Sequence, residues 1–334
     1  MLRTTFSDLF GLDHPIMNAP MSGSAGGELA AAVSNAGGLG MIGGSGSAPG
    51  LTSAEWLRQE IRLARSLTDR SFGVGFISTQ RDPDASQLRS AELQALALDE
   101  GISIIGHSFV VPADLIAQAR RRGASIICQV QTVAMAREAI GAGADVLVAQ
   151  GYDGGGHVGS IGTLSMVPAV VDVAGGIPVL AAGGIADGRG LAAALMLGAQ
   201  GANIGTRFYA SAESLIPHFM REPLLGAGTD DTVWTRVFDV VGNADFGPTV
   251  ALRCIQNEFT LTWDGRETEA KAEASRLQSQ LDRARASADT SVARVLASSA
   301  VGLIRDTEPA GAIVKGICAE AEAIIRARAG ALID

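Results

Sequence analysis

The stretch Val146-Leu147-Val148-Ala149-Gln150-Gly151-Tyr152-Asp153-Gly154-Gly155-Gly156-His157-Val158-Gly159 joins an apolar run to a glycine-rich segment carrying a single imidazole. A short apolar run without polar alternation reads as a strand buried on both faces, the kind found in parallel sheets covered by helices. The glycines that follow make no surface by side-chain packing, but they let main chain come close to a ligand. Two questions follow: how many such strands the chain holds, and what the loops at their ends carry.

Outward from this stretch, β-like runs alternate with helical segments. Strands are expected at 15–21, 39–42, 72–77, 102–106, 125–130, 145–149 and 178–181, with an eighth opening at 201–205. Helices are expected at 28–35, 53–67 (capped by Ser53), 87–99, 113–122, 133–140, 164–173 and 190–197. Gly37-Gly38, Gly101, Gly123 and Gly141-Ala142-Gly143 stand where those helices stop. Eight such units in about 210 residues predict an α/β fold of the (β/α)8 TIM barrel type. A doubly wound open sheet is the alternative, weakened because no GxGxxG opens a helix after the first strand.

Beyond Phe208 the pattern changes. Residues 214–225 look helical and 232–241 extended, 267–288 reads as a charged amphipathic helix, and 292–304 and 313–328 carry helical apolar stripes. The expected organisation is a barrel over residues 1–212, a mainly helical substrate-side region over the barrel mouth at 213–310, and a terminal helix returning to the barrel at 311–334.

Composition narrows the function. The chain has 334 residues, 47% hydrophobic and 18% charged, enough for one large core. A formal charge of −9 argues against a nucleic-acid groove or an anionic membrane surface. Cys128, Cys254 and Cys318 are odd in number and form no CxxC, which suits free thiols in a reducing compartment. With no signal-like apolar core over residues 1–8, a cytoplasmic location is expected.

In a barrel, chemistry sits at the C-terminal strand ends. Those ends offer Asn18 to Ser22, Ser78, His107 and Ser108, Gln129 and Gln131, then Gln150, Asp153 and His157. The last two strands add Gly183, Gly184, Gly205 and Thr206. Both lysines, Lys271 and Lys315, lie outside this set, which removes Schiff-base chemistry there. Carboxylates are too few for a magnesium or two-metal site, no HxH or HxxxH pairs the histidines, and Asp153 has no facing carboxylate for glycoside hydrolysis. A neutral, amide-rich, glycine-lined mouth remains, suited to an organic cofactor that carries the hard chemistry. Gly183-Gly184, the helix opening at Asp187-Gly188, and Gly205-Thr206 mark the place for its phosphate. Asn18, Gln129 and Gln150 offer both donors and acceptors, which matches the edge of a flavin. His157 is the acid–base candidate; His107 reads more readily as a wall histidine.

At these residues the chain resembles the nitronate monooxygenase family, formerly called 2-nitropropane dioxygenases. The likeness rests on Pro15-Ile16-Met17-Asn18-Ala19-Pro20-Met21, on the segment 150–159 with its histidine, and on 181–189 continuing to Ile204-Gly205-Thr206-Arg207-Phe208. It covers residues 12–215, with a looser match at 300–304. The resemblance implies an FMN-dependent barrel with an added helical domain. It implies flavin-ring contacts from Asn18, Ala19, Pro20, Met21 and Gln129, a lining from Gln150 and Gly155, and a phosphate seat at Gly183, Gly184, Asn203, Ile204, Gly205 and Thr206. His157 matches the family's active-site histidine. Gly75, which stands where many members carry asparagine, is expected among the cofactor-binding residues as well, and Asp153-Gly154 replaces the usual Glu-Ala.

The implied activity is oxidation of an alkyl nitronate or related carbanion by O2, with His157 as base. The short gap from His157 to Gly183 is similar to that of flavin-dependent enoyl-acyl-carrier-protein and CoA-thioester reductases, so NAD(P)H-dependent reduction of an enoyl or acyl thioester is the alternative. The partners implied are a small-molecule substrate and O2, with no nucleic acid and no membrane, and a homo-oligomeric state left open.

Overall fold

Short apolar runs separated by helices leave each strand only parallel neighbours, and eight of them complete one ring. The computed structural model describes residues 2–46, 48–77 and 83–332; Ser78, named above among the strand-end residues, lies outside them. The strands are β1 (Ile16–Asn18), β2 (Gly40–Gly43), β3 (Phe72–Ile77), β4 (Ile104–Ser108), β5 (Ser125–Val130), β6 (Val146–Gln150), β7 (Gly156–Val158), β8 (Val179–Ala182), β9 (Gly201–Ile204), β10 (Thr232–Thr235) and β11 (Ala251–Ile255). Eight of them form one parallel sheet in the order β1-β9-β8-β6-β5-β4-β3-β2. A parallel bridge between Met17 and Leu39 brings its two ends together. Leu39 N–H donates to the Ile16 carbonyl at 2.8 Å there, and Asn18 N–H to the Leu39 carbonyl at 3.3 Å. The result is a (β/α)8 barrel.

Period-two alternation sorts the side chains. Met17, Met41, Ile127, Val148 and Leu180 fill the barrel interior, and Phe6 plugs its N-terminal end from the helix Thr5–Phe10. That helix is set by a Thr4–Ser7 capping box and by Gly11 in the left-handed region. Ile16, Val74, Ile105, Ile126 and Leu147 face outward against the helices. Thr52, not Ser53, caps the helix Ser53–Leu67, because Glu55 completes a reciprocal box with it. The long helix Ala310–Leu332 packs along Gly188–Met196 and Gly27–Asn35, taking the eighth place in the outer ring.

The region between departs from its sequence reading. Residues 292–304 are not an α-helix: Leu296 bridges Cys254, Ile255 N–H donates to the Val295 carbonyl at 2.9 Å, and Ser299–Leu303 is a 3₁₀ turn. The stretch 232–241 splits into β10 and the helix Val237–Gly242, and 267–288 breaks at Glu273 into Glu267–Ala272 and Ala274–Ala286. A second, antiparallel sheet runs β10-β11-β7, so a piece of the glycine-rich stretch is itself a strand. Its small core contains Val237, Phe238, Leu252, Trp263 and Leu277. All three cysteines are free and buried. Burial pushes each thiol up to about 12, so none is a thiolate at neutral pH. No helix among the described residues is long and apolar enough to cross a membrane.

Candidate active site

The C-terminal strand ends converge on a cavity of about 300 Å³. The turn after β1 supplies Ala19, Pro20 and Met21; β5 and β6 supply Gln129 and Gln150. Gly155 and His157 come from the segment leading into and through β7, and Gly183 and Gly184 from the end of β8. Asn203, Gly205 and Thr206 close the ring from β9.

Three expected residues stand behind the wall. Asn18 is fully buried, and its side-chain amide donates to the Met41 carbonyl and accepts from Met41 N–H, both at 2.8 Å. It stands in for a missing stretch of β1–β2 ladder. Gly75 makes room for Pro20, whose Cγ lies 2.4 Å from where a Cβ would sit. Ile204 packs into the layer between sheet and helices, and its carbonyl accepts from Ala19 N–H at 2.8 Å.

The amides form a directed set. Gln150 Oε1 accepts from Gln129 Nε2 at 3.1 Å and from Gln131 Nε2 at 2.6 Å. Gln131 also donates to the His157 carbonyl at 3.3 Å. Among the described residues Gln150 Nε2 and Gln129 Oε1 keep no protein partner, which leaves one donor and one acceptor at the cavity wall. Asn203 adds a second acceptor: its Oδ1 is buried and unpartnered. A buried amide oxygen without a partner costs free energy unless something fills its place.

The glycines set the shape at the far end. Gly183 holds φ at +103°, and a Cβ there would stand 2.9 Å from Gly151 O, Gly154 N and Thr163 Oγ1. Gly155 is pressed against the opposite segment, with Ala297 C only 2.6 Å from its missing Cβ. Thr206 Oγ1 accepts from Ser298 N–H at 3.0 Å and keeps its own proton to give. The helix N-terminus at Gly188, expected to face a phosphate, is already occupied. Gly188 N–H donates to Glu320 at 2.7 Å, and Asp187 accepts from Arg189 and Gly190 N–H. Gly184, Gly205 and Thr206 remain at that end of the cavity. Asp153 does not line the cavity; its carboxylate accepts from Thr163 N–H at 2.8 Å and caps the next helix.

His157 is held from three sides. Its backbone pairs with Leu252 of β11, its ring stacks on Phe246 with centroids 3.6 Å apart, and Phe109 meets it edge-on at 6.0 Å. Its Nε2 lies 2.8 Å from Asp239 Oδ1. Phe109 itself sits at φ +73°, an uncommon conformation for a non-glycine residue. His107 is elsewhere: buried beside Phe76 on the outward side of β4, with neither ring nitrogen partnered. Burial alone drives it down to about 4, so it is neutral at physiological pH.

Sequence reasoning missed Phe109, Tyr209, Phe246 and Arg294 in the lining. Phe109 was reachable, since it follows His107-Ser108 at a strand end. Phe246 and Arg294 come from the region whose fold was misread. Arg294 is the one side chain with a permanent charge that lines the cavity among the described residues. It has no carboxylate partner among them, and its guanidinium stands 5.8 Å from the Phe238 ring.

The arrangement fits a planar heteroaromatic ring with a phosphate tail. Neutral donors and acceptors meet its edge, including the orphaned Asn203 oxygen, while Ala19, Pro20, Met21 and Leu296 offer apolar faces and Gly205 leaves the tail end open. Fold and site together define a (β/α)8 barrel that holds an organic cofactor at its mouth. The chain belongs to the nitronate monooxygenase family, whose model matches residues 3–320. Members of that family depend on FMN.

Over 240 residues the chain is 37% identical to (3aS,4S,5R,7aS)-5-hydroxy-7a-methyl-1-oxo-octahydro-1H-indene-4-carboxyl-CoA dehydrogenase of Mycobacterium tuberculosis. That match covers 71% of this chain and 64% of the relative, so the chain spans less than two thirds of that relative's length. Among solved structures it is similar to FabK from Thermotoga maritima, with a TM-score of 0.85, 32% identity, and coverage of 99% of this chain and 100% of that one. The nitroalkane oxidase from Streptomyces ansochromogenes gives a TM-score of 0.81 at 30% identity, covering 97% and 99%.

Proposed function

We propose that this chain is an FMN-dependent oxidoreductase that oxidises an alkyl nitronate or a related carbanion with O2, with His157 as base. The observation that carries the reading is one imidazole in the wall of a cavity otherwise lined by neutral amides, hydroxyls, glycines, apolar groups and a single arginine. Gln129, Gln150 and Asn203 would meet the edge of the flavin ring, and Ala19, Pro20 and Met21 its face. Gly184, Gly205 and Thr206 would take the phosphate, with Gly183 and Gly155 giving it room. Bound FMN would supply the redox chemistry between the substrate and O2. The chain's own part is to hold the substrate carbon near His157, to accept a proton there, and to keep water out with Phe109, Phe246 and Leu296. Residues 213–310 would shape the substrate side. The buried free thiols suit a cytoplasmic setting.

The test is O2 uptake by the yellow protein with propyl nitronate and no pyridine nucleotide. Rapid uptake is expected; with the neutral nitroalkane, whose carbon must first lose a proton, His157→Ala should be slower by about 100-fold while retaining FMN. No uptake, together with flavin bleaching by NADH or NADPH under anaerobic conditions, would instead favour the second reading, an NAD(P)H-dependent reductase of an enoyl or acyl thioester. Arg294 at the cavity favours that reading through the phosphates such substrates carry, and so does the name of the mycobacterial relative.

A further inference from the structure

Asp239 lies on the short helix Val237–Gly242, outside the barrel and outside the cavity lining. Its carboxylate and the His157 ring are both largely buried, with side chains 10% and 16% exposed. A carboxylate so enclosed needs a strong donor, and Asp239 Oδ1 has one, His157 Nε2 at 2.8 Å. A carboxylate accepts only, so the proton of a neutral imidazole must sit on Nε2. Nδ1 is then the basic nitrogen. Among the described residues it has no protein partner and it is not sealed by them, and His157 lines the cavity.

We propose that Asp239 is a positioning residue for His157: it fixes the Nε2–H tautomer and the ring orientation, so that Nδ1 faces the cavity as a base for a substrate arriving as a neutral carbon acid. The mention of a base rests on the function proposed above; the tautomer does not. In the step concerned, the substrate C–H bond breaks and its electron pair stays on carbon. The proton forms a new bond to Nδ1, and the Asp239 carboxylate stabilises the imidazolium, in which both nitrogens are now protonated. Phe246, stacked at 3.6 Å, resists a turn of the ring, and the His157–Leu252 pairing fixes the backbone that carries it. A substrate already deprotonated needs no such step, so the effect of Asp239 depends on the protonation state in which the substrate arrives.

The experiment uses the FMN-loaded protein with isotopically labelled histidine nitrogen. With only four histidines in the chain, the His157 signals are assigned by their loss in His157→Gln. The wild type is expected to show Nε2 protonated and Nδ1 bare. Asp239→Asn, whose amide can donate as well as accept, should release that preference, and Asp239→Glu should restore it in part. Retained FMN absorbance checks that each variant is folded. In parallel, Asp239→Asn should lose turnover on nitroethane by about 10- to 100-fold. That loss should exceed the loss on preformed ethyl nitronate by about 10-fold or more. A wild-type His157 protonated on Nδ1, a tautomer indifferent to Asp239→Asn, or equal losses on both substrates would overturn the proposal. If the wild type oxidises neither compound, the proposed function fails, and the tautomer measurement alone still decides the role of Asp239.

Discussion

Two asparagines near the barrel mouth look alike in sequence and should behave in opposite ways. Asn18 bonds both polar groups of Met41 at 2.8 Å in a fully buried place. Asn18→Ala strands the Met41 N–H and C=O, and each buried unpaired group costs about 1–3 kcal/mol. The loss is then about 4 kcal/mol. A chain of this length unfolds with an entropy of about 0.7 kcal/mol per degree, so the melting temperature should fall by about 6 °C. Asn203 is the reverse case, because its Oδ1 bonds nothing in the protein. Asn203→Ala loses no internal bond and should leave the flavin-stripped protein within about 1 °C of wild type. It should weaken FMN by one hydrogen bond, about 0.5–1.5 kcal/mol, which is about 2- to 10-fold in Kd.

Calorimetry of the stripped and reconstituted proteins, with a fluorescence titration of FMN, reads both quantities. Asn18→Ala should show the same fall in both forms and a Kd within about twofold of wild type. If Asn18→Ala melts normally when stripped but binds FMN poorly, the amide contacts the cofactor and the assignment of Asn18 to ring closure is wrong.

Three other substitutions test the packing and the buried charge. Gly155→Ala places a Cβ 2.6 Å from Ala297 C and 2.7 Å from Ser298 N, so overpacking of about 1–3 kcal/mol is expected, with slower turnover; an unchanged melt would mean that this segment yields freely. Gly141→Ala, in an exposed helical position with nothing within 4 Å of the new methyl, should raise stability by about 0.5 kcal/mol in urea titration. His107 is neutral when folded because burial lowers it to about 4 from 6.5. The unfolded chain therefore takes up its proton first as pH falls, and stability declines from pH 6.5 down to about 4. Between pH 8 and pH 5 this loss is about 2 kcal/mol. His107→Phe should remove it, which urea titrations at the two pH values would show.

The barrel was legible because its signals are local. Each apolar run and each glycine stop falls within one βα unit, and 72–77 and 125–130 match the observed strands residue for residue. What was not legible depends on distant partners. Asn18 reads as a strand-end amide whether it faces a ligand or a gap in the ladder, and only the single bridge between Met17 and Leu39 decides which. β7 hides among glycines, and its partner β11 lies almost a hundred residues on. Val292, Val295 and Leu296 have helical spacing, but Val292 closes a turn on Asp289, while Val295 and Leu296 lie along Ile255 and Cys254. Asp239 carried no local signal at all, since a carboxylate on a short helix is ordinary until it meets His157.

The placement of acidic groups gives the site its electrostatic character. The chain carries −9, yet no carboxylate lines the cavity among the described residues. Three acids on the segments after the strands are occupied by helix starts: Asp153 at Thr163, Asp187 at Gly190, and, from the terminal helix, Glu320 at Gly188. An unpaired carboxylate 4 Å from a bound phosphate or nitronate would oppose it by about 4 kcal/mol at an effective dielectric near 20. Pinning these acids to backbone N–H groups turns them away and gives each a partner. Asp239 is the exception that approaches the site, and the proton it shares with His157 makes that approach tolerable. The acid is therefore placed where it stabilises positive charge gained by the imidazole, with the ring standing between it and an anion in the cavity.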